Sequence, residues 1–253
     1  MMKNKKLGQN FLINHNIAIK EIVYCNISKN DVVLEVGAGK GILTKILKEK
    51  AKKVIAFEID RNLYNNLRKT IPNSNIVFIN NDILKIDFKE IPRFNKIVSN
   101  LPFQISLPFT LKILKYDFDK AVLIYQKEFA ERMIAKSGDK HYSRLSVLIY
   151  YKSYCRIIEN ISKNNFKPTP KVDSSMVELK LKIKPPFYIK DELFFFNFTK
   201  NLFNNKRKKI KNNIKRCYNL DLKNHPYNNC RVEELNPEEI GELSNFIYEK
   251  LRL

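Results

Sequence analysis

The sequence predicts an α/β protein, in which helices cover both faces of a mostly parallel sheet and a small all-helical domain follows. Three observations point there. Short apolar runs alternate with helical patterns through the first half of the chain. The first run ends in a glycine-rich turn. Beyond Lys184-Pro185-Pro186 the periodicity is helical only. The predicted division is therefore 1–184 for the sheet domain and 185–253 for the helical one.

The run 32–36 (VVLEV) is apolar enough to be a buried parallel strand, and Gly41–Lys50 carries Ile42, Leu43, Ile46 and Leu47 on one helical side. Strand 53–58 and helix 62–69 follow, the helix stopping near Pro72. Strands are expected at 75–79 and 96–99, a helix at 109–115 after Pro102 and Pro108, a fifth strand at 119–125 and a helix at 127–135. Residues 136–142 read as a polar loop. The stretch 145–158 is ambiguous, with aromatic and β-branched content favouring strand near its end. Residues 173–183 alternate imperfectly and suit a strand that closes the sheet in the antiparallel direction. Helices are expected at 191–203, 206–217 and 237–251.

With 253 residues, 44% of them hydrophobic, the chain can build a sizeable core. Lys plus Arg number 47 against 26 Asp plus Glu, a net charge of +21. That excess points to a polyanionic partner, nucleic acid first and an anionic membrane second. No apolar run approaches the ~18 residues of a membrane span, and the basic Met1–Asn10 precedes no signal-like apolar stretch. The four cysteines are scattered and only three histidines exist, so no metal site is expected, and reduced thiols suit a cytoplasmic protein.

Between the first strand and first helix stands Glu35-Val36-Gly37-Ala38-Gly39-Lys40-Gly41. Glycines there allow a tight turn and close approach of a ligand. Glu58 ends the second strand, where an acid can accept from ribose hydroxyls, and Asp82 follows the third. All three lie at the carboxyl edge of one sheet. Glu35 would repel a pyrophosphate and suit an amino-bearing ligand, although a dinucleotide site competes; the absence of GKS or GKT excludes a Walker-type ATP site. The fourth strand runs into Asn100-Leu101-Pro102-Phe103. The Asn100 amide oxygen can accept from an amino group, Pro102 has no N–H to occupy the Leu101 carbonyl, and Phe103 offers a stacking face.

These segments resemble the KsgA/Dim1 family of small-subunit ribosomal RNA adenine dimethyltransferases. The likeness runs from Lys6–Leu12 through Glu35–Gly41, Glu58, Asp82, Asn100–Ser106 and Tyr142–Val147 to the distinctive Phe166-Lys167-Pro168-Thr169-Pro170-Lys171-Val172-Asp173-Ser174, and continues in Lys206–Lys209 and Arg231–Leu235. It implies a Rossmann-like class I methyltransferase sheet with a small C-terminal all-helical domain, S-adenosyl-L-methionine as cofactor, and small-subunit rRNA, in a pre-ribosomal particle, as partner of a monomeric enzyme. By the resemblance, Gln9, Asn10 and Leu12 would lie over the cofactor and Gly37 and Gly39 along its methionine part. Glu58 would hold the ribose, and Asp82 and Ile83 the adenine. Asn100 and the Leu101 carbonyl would bind the target amine, and Phe103 and Phe166 would sandwich the target adenine. Two positions depart from the family: Phe103 where Tyr is common, and Ser143 where Gly is usual.

For RNA, the stretch 200–216 is basic without an acid, and Lys206, Arg207, Lys208, Lys209 and Lys211 are expected on the solvent face of a helix packed through Phe203, Ile210, Ile214 and Cys217. Lys3, Lys5 and Lys6 extend the charge in an N-terminal arm. Competing readings are a large-subunit rRNA adenine methylase of the resistance type, and a non-catalytic assembly or transcription factor on the same fold.

Overall fold

The computed structural model describes residues 9–72 and 74–251, so Lys3 to Gly8 lie outside the described residues. The chain opens with a short strand β1 (Phe11–Leu12) and helix α1 (His15–Cys25). It continues with β2 (Val32–Val36), α2 (Ile42–Lys50), β3 (Lys53–Phe57), α3 (Arg61–Thr70), β4 (Ile76–Ile79), β5 (Lys96–Asn100), α4 (Ser106–Ile113), β6 (Lys120–Gln126) and α5 (Lys127–Ile134). Then come α6 (Arg144–Lys152), β7 (Ser153–Ile161), β8 (Phe166–Lys167), β9 (Ser174–Leu181), α7 (Glu192–Phe203), α8 (Ile210–Tyr218) and α9 (Pro237–Lys250).

Seven strands form one sheet in the order β4-β3-β2-β5-β6-β9-β7. The pairs from β4 to β6 are parallel, and β9 adds to β6 antiparallel with Tyr125 opposite Ser175. The expected strand at 173–183 thus closes the sheet as read. Burial on both faces explains the apolar runs: Val33, Leu34, Val54, Ile55, Ala56, Ile97, Val98, Val122 and Ile124 have no exposed surface. The chain builds β2, β3 and β4 toward one edge, then returns to lay β5 on the other side of β2. The switch point where strand order reverses therefore lies between β2 and β5, beside the carboxyl ends that carry Gly37 and Asn100.

Helix α1 was not foreseen. Asn14 caps its start, accepting from the Asn16 and Ile17 amides at 3.0 and 3.4 Å, and Asn26 ends it in the left-handed conformation. Ile17, Ala18, Ile22 and Cys25 enter the sheet core, and so does Glu21, whose charge-bearing group breaks the apolar pattern. The ambiguous 145–158 is helix through Lys152 and strand after it. Ser143 caps that helix from an extended backbone (φ −157°), which any residue adopts, its amide donating to Ser146 Oγ at 3.1 Å.

The chain divides into two compact units. One runs through Ala130 and resumes at Tyr154–Leu181; the other holds Glu131–Ser153 and everything from Lys182 on. The expected boundary near 184 falls close to this second division, but 131–153 belongs with the helices, not with the sheet domain to which 1–184 assigned it. The reason is aromatic packing within the helical unit. The Tyr151 ring of α6 lies 5.0 Å from Phe187 and 5.2 Å from Phe195, and Lys152 pairs with Glu192 at 2.6 Å. Helices α7 and α9 contribute Phe195, Phe198, Leu202, Ile240, Leu243 and Ile247 to the same core.

Candidate active site

A cleft opens at the switch point. Its lining includes Gln9, Asn10 and Phe11 from the first segment, Val36, Gly37 and Gly39 after β2, Glu58 and Ile59 after β3, Asp82 and Ile83 after β4, and Asn100, Pro102, Gln104 and Ile105 after β5. The glycine turn is built for close approach. Gly37 and Gly39 take φ of 74° and 57°; a Cβ on Gly37 would meet the Pro102 ring at 3.1 Å, and one on Gly39 the Phe11 ring at 3.0 Å. The amides of Gly37 and Ala38 both donate to the Phe57 carbonyl, at 2.8 and 3.0 Å, which fixes the turn against the end of β3.

Glu58 is almost fully buried at the cleft wall. Its Oε2 accepts from the Gly39 amide at 2.8 Å and its Oε1 from the Asp60 amide at 2.9 Å. Burial holds the carboxyl above its ordinary range, and the two amides oppose that. Asn80 Nδ2 donates to the Glu58 carbonyl at 2.7 Å and so ties the end of β3 to the loop after β4. In that loop Asp82 Oδ1 accepts from the Leu84 amide at 2.9 Å, and Ile83 is buried.

Glu35 lies behind the turn, 1% exposed, bordering a smaller adjoining cavity that it shares with Leu12, Gly37, Gly39 and Asn100. Thr44 donates its hydroxyl to Glu35 Oε2 at 2.7 Å. Burial, with Glu58 adding repulsion, pushes the carboxyl up to about 8. Asn100 sits half-buried at the end of β5, and its Nδ2 donates to the Asn10 carbonyl at 3.2 Å. That bond uses the donor end of the amide and leaves Oδ1 as the acceptor.

The structure refines one expectation and corrects two. Leu12 does not line the main cleft but the smaller cavity it shares with Glu35, Gly37, Gly39 and Asn100. Successive strand residues face opposite ways, and in β1 it is Phe11 that faces the cleft while Leu12 enters the core. Phe166 is not an exposed stacking wall: it is 1% exposed, pairs with Leu12 across the antiparallel β1–β8 ribbon and belongs to the sheet core. Lys206 to Lys209 do not lie on a helix. The Lys208 amide closes a turn on the Asn205 carbonyl, Lys209 bridges Arg231, and α8 begins only at Ile210. Lys206 pairs with Glu233 at 3.6 Å; Arg207, Lys208, Lys209 and Lys211 are exposed, as is Cys217, while Asn213 is buried beside Ile214. Leu101 is buried, and Phe103 is half-exposed on the turn between Pro102 and Gln104.

Residue-type reasoning missed Phe11, Ile59 and Ile105 as cleft residues, since apolar side chains carry no chemical signature of a site, and it missed the amide of Gln104. Asn80 was equally unmarked, although its place after a strand end is where such tethers occur.

Where the cleft lies decides the class of protein. A sheet of this order, with the ligand turn after its central strand and an acid at the end of the next, is the framework of the class I methyltransferases, and the chain is one of them. A dimethyladenosine transferase from Plasmodium falciparum superposes with a TM-score of 0.79 at 28% identity, covering 96% of this chain and 98% of that one. A 23S rRNA methyltransferase shares the fold at 24% identity, with a TM-score of 0.69 over 96% of this chain and 100% of that one. The ribosomal RNA adenine dimethylase model matches residues 1–249, and a probable ribosomal RNA small subunit methyltransferase A of Methanococcus aeolicus is 44% identical over 99% of this chain and 92% of its own length. The chain belongs to the ribosomal RNA adenine dimethylase family and is an S-adenosylmethionine-dependent enzyme.

The residues present fit that cofactor. Its ammonium needs an anion, which Glu35 can become; its ribose needs acceptors, which the remaining lone pairs of Glu58 supply; its methionine part needs a wall free of side chains, which Gly37 and Gly39 form; and its adenine needs apolar walls, which Ile59, Ile83 and Ile105 provide.

Proposed function

We propose that this cleft carries out dimethylation with Asn100 as the acceptor for the target amine, and that the Asn100–Asn10 contact is the observation that carries the assignment. The substrate is small-subunit rRNA and the product is N6,N6-dimethyladenosine at two adjacent adenosines near its 3′ end, formed during ribosome biogenesis. Four methyl groups are transferred per RNA. The cofactor supplies, when bound, a methyl group on a positively charged sulfur. The chain does the rest. Asn100 Oδ1 and the Leu101 carbonyl accept from the exocyclic N–H groups and favour a nitrogen that turns tetrahedral as its lone pair forms the new N–C bond. The cofactor, when bound, would keep the electron pair of its sulfur–carbon bond as a neutral thioether, and the nitrogen loses a proton to water, so no strong base is required. Phe103 stacks on the flipped adenine and offsets part of its unstacking, about 1–3 kcal/mol. Its ring lacks a tyrosine hydroxyl, which stacking does not need.

Arg207, Lys208, Lys209 and Lys211 engage the phosphate backbone. The enzyme acts as a monomer, in the cytoplasm, on a pre-ribosomal particle. Radiolabelled methyl transfer to immature small subunits, followed by nucleoside analysis, tests the reading. Labelled dimethyladenosine at two adjacent positions is expected, and Asn100→Ala should lower turnover at least ~100-fold with RNA affinity retained. Equal activity of the variant overturns the acceptor role, and label confined to large-subunit RNA overturns the substrate.

A further inference from the structure

Helix α4, which follows the Asn100–Phe103 motif, carries a lysine whose partners lie in a different wall of the cleft. Lys112 stands one residue before the end of α4, half-buried. Its Nζ donates to the Ile83 carbonyl at 2.7 Å, to the Leu84 carbonyl at 3.3 Å and to the Ile86 carbonyl. The same ammonium sits 4.7 Å from the centre of the Phe88 ring. An ammonium has three N–H donors and no acceptor, and here three carbonyls of one loop converge on it.

The loop has otherwise closed on itself. The Asp82 amide donates to Asn81 Oδ1 at 2.7 Å, the Leu84 amide to Asp82 Oδ1 at 2.9 Å and the Lys85 amide to the Asp82 carbonyl at 3.0 Å. The Asp82, Leu84 and Lys85 amides are thus used locally, while three of the loop's carbonyl dipoles point together and repel unless a cation lies among them. Without Lys112 those carbonyls have to turn outward to water, which rotates the peptide planes that carry Asp82 and Ile83. Asp82 and Ile83 form one side of the cleft, and Gln104 and Ile105, at the start of the turn leading into α4, form part of another.

We propose that Lys112 is a positioning residue for cofactor recognition: by drawing the carbonyls of Ile83, Leu84 and Ile86 onto α4 it fixes the Asp82–Ile83 wall at the spacing the adenine ring of S-adenosylmethionine requires. This rests on the reading that adenine lies beside Asp82 and Ile83. Lys112 does not line the cleft, and its Nζ is taken by the loop carbonyls, so its effect belongs in the affinity for cofactor and not in the chemical step or in RNA binding.

The test is a set of steady-state measurements on the full chain with immature small subunits, joined to calorimetric binding of S-adenosylhomocysteine. Lys112→Met keeps the length of the side chain and removes its donors. It is expected to raise KM for S-adenosylmethionine and Kd for S-adenosylhomocysteine together by about tenfold, with kcat and KM for the particle within about twofold of wild type. Lys112→Arg, which keeps a charge and several donors, is expected to recover most of that loss. Asp82→Ala is measured in parallel. If Asp82→Ala weakens cofactor binding and Lys112→Met does not, the positioning role is overturned and the adenine placement stands. If neither weakens it, the adenine placement falls and the positioning role with it. Equal losses of melting temperature, kcat and cofactor affinity in both Lys112 variants would make Lys112 a folding residue, which also overturns the proposal.

Discussion

Glu35 shows how a single side chain trades stability for a function. Its carboxyl is buried with a hydroxyl donor from Thr44, and the groups that bear on it are carboxyls: Glu58 repels it, and Glu21 on α1, itself held well above the carboxylate range by burial, is repelled by it in turn. The folded protein therefore holds the Glu35 proton up to about pH 8, against about 4.5 for a free carboxyl. A group whose folded value is raised contributes stability that is fully present below its unfolded value and is lost as pH rises through the folded one. Between those limits this side chain lowers stability by roughly 1 kcal/mol per pH unit. Glutamine mimics the protonated acid at every pH and still accepts from Thr44. Cofactor-free Glu35→Gln is thus expected to melt near the wild type at pH 5 and above it at pH 9, by thermal melts across that range. A wild type that gains on the variant as pH rises would mean that the buried group is ionised. The acid before the glycines was legible in the sequence as a partner for an amine. Its protonated resting state was not, because that depends on burial behind the turn and on the repulsion of Glu58, which arrives from another element.

At the scale of elements, the two-stranded ribbon of β1 and β8 holds the first segment over the cleft. Leu12 pairs with Phe166 and Phe11 with Lys167, the Ile13 amide donates to the Asn165 carbonyl at 2.9 Å, and Asn14 Nδ2 donates to Asn165 Oδ1 at 2.8 Å. The carbonyl of Asn10, which orients Asn100, stands directly before this ribbon. Phe166 serves the site from inside the core. Phe166→Ala is expected to cost about 3–5 kcal/mol of stability, read by denaturant titration. Phe166→Leu should keep most of the packing and turn over within about threefold of wild type. Loss of activity in the leucine variant at unchanged melting temperature would restore the aromatic ring to the role of a base-stacking wall. The motif around Phe166 was visible in the sequence as a distinctive segment, but a two-residue strand has too short an alternation to show which side chain turns inward. The parallel strands β2 to β6 were legible because their apolar runs are decided by burial on both sheet faces. The stretch 145–158 resisted because a helix and a strand meet at Lys152 and Ser153 with no intervening loop; the serine pair Ser143 and Ser146 marks only where the helix starts.

The molecule as a whole carries its charge of +21 in both units, not in the tail alone. The sheet unit displays exposed Lys40, Lys45, Arg61, Arg68 and Lys69, and the helical unit displays Arg207, Lys208, Lys209, Lys211, Lys215 and Arg216. A segment that looks dominant in sequence because its cations are consecutive is therefore one contributor among several. Lys206 contributes least of its group, since Glu233 lies beside it. Binding to a polyanion releases counterions in proportion to the phosphates neutralised, so the logarithm of affinity falls linearly with the logarithm of salt concentration. Replacing Lys208 and Lys209 together by Glu removes two exposed cations from the turn before α8, where neither supports the helix through a side-chain cap. The salt slope of RNA binding is expected to fall by about 2, with weaker affinity at every salt concentration and an unchanged melting temperature. A substantial slope should remain, because the cations of the sheet unit are untouched. An unchanged slope would remove the α8 turn from the RNA-facing surface. Loss of nearly all salt dependence would instead show that the helical unit alone reads the phosphates, and that the charge on the sheet unit faces solvent in the complex.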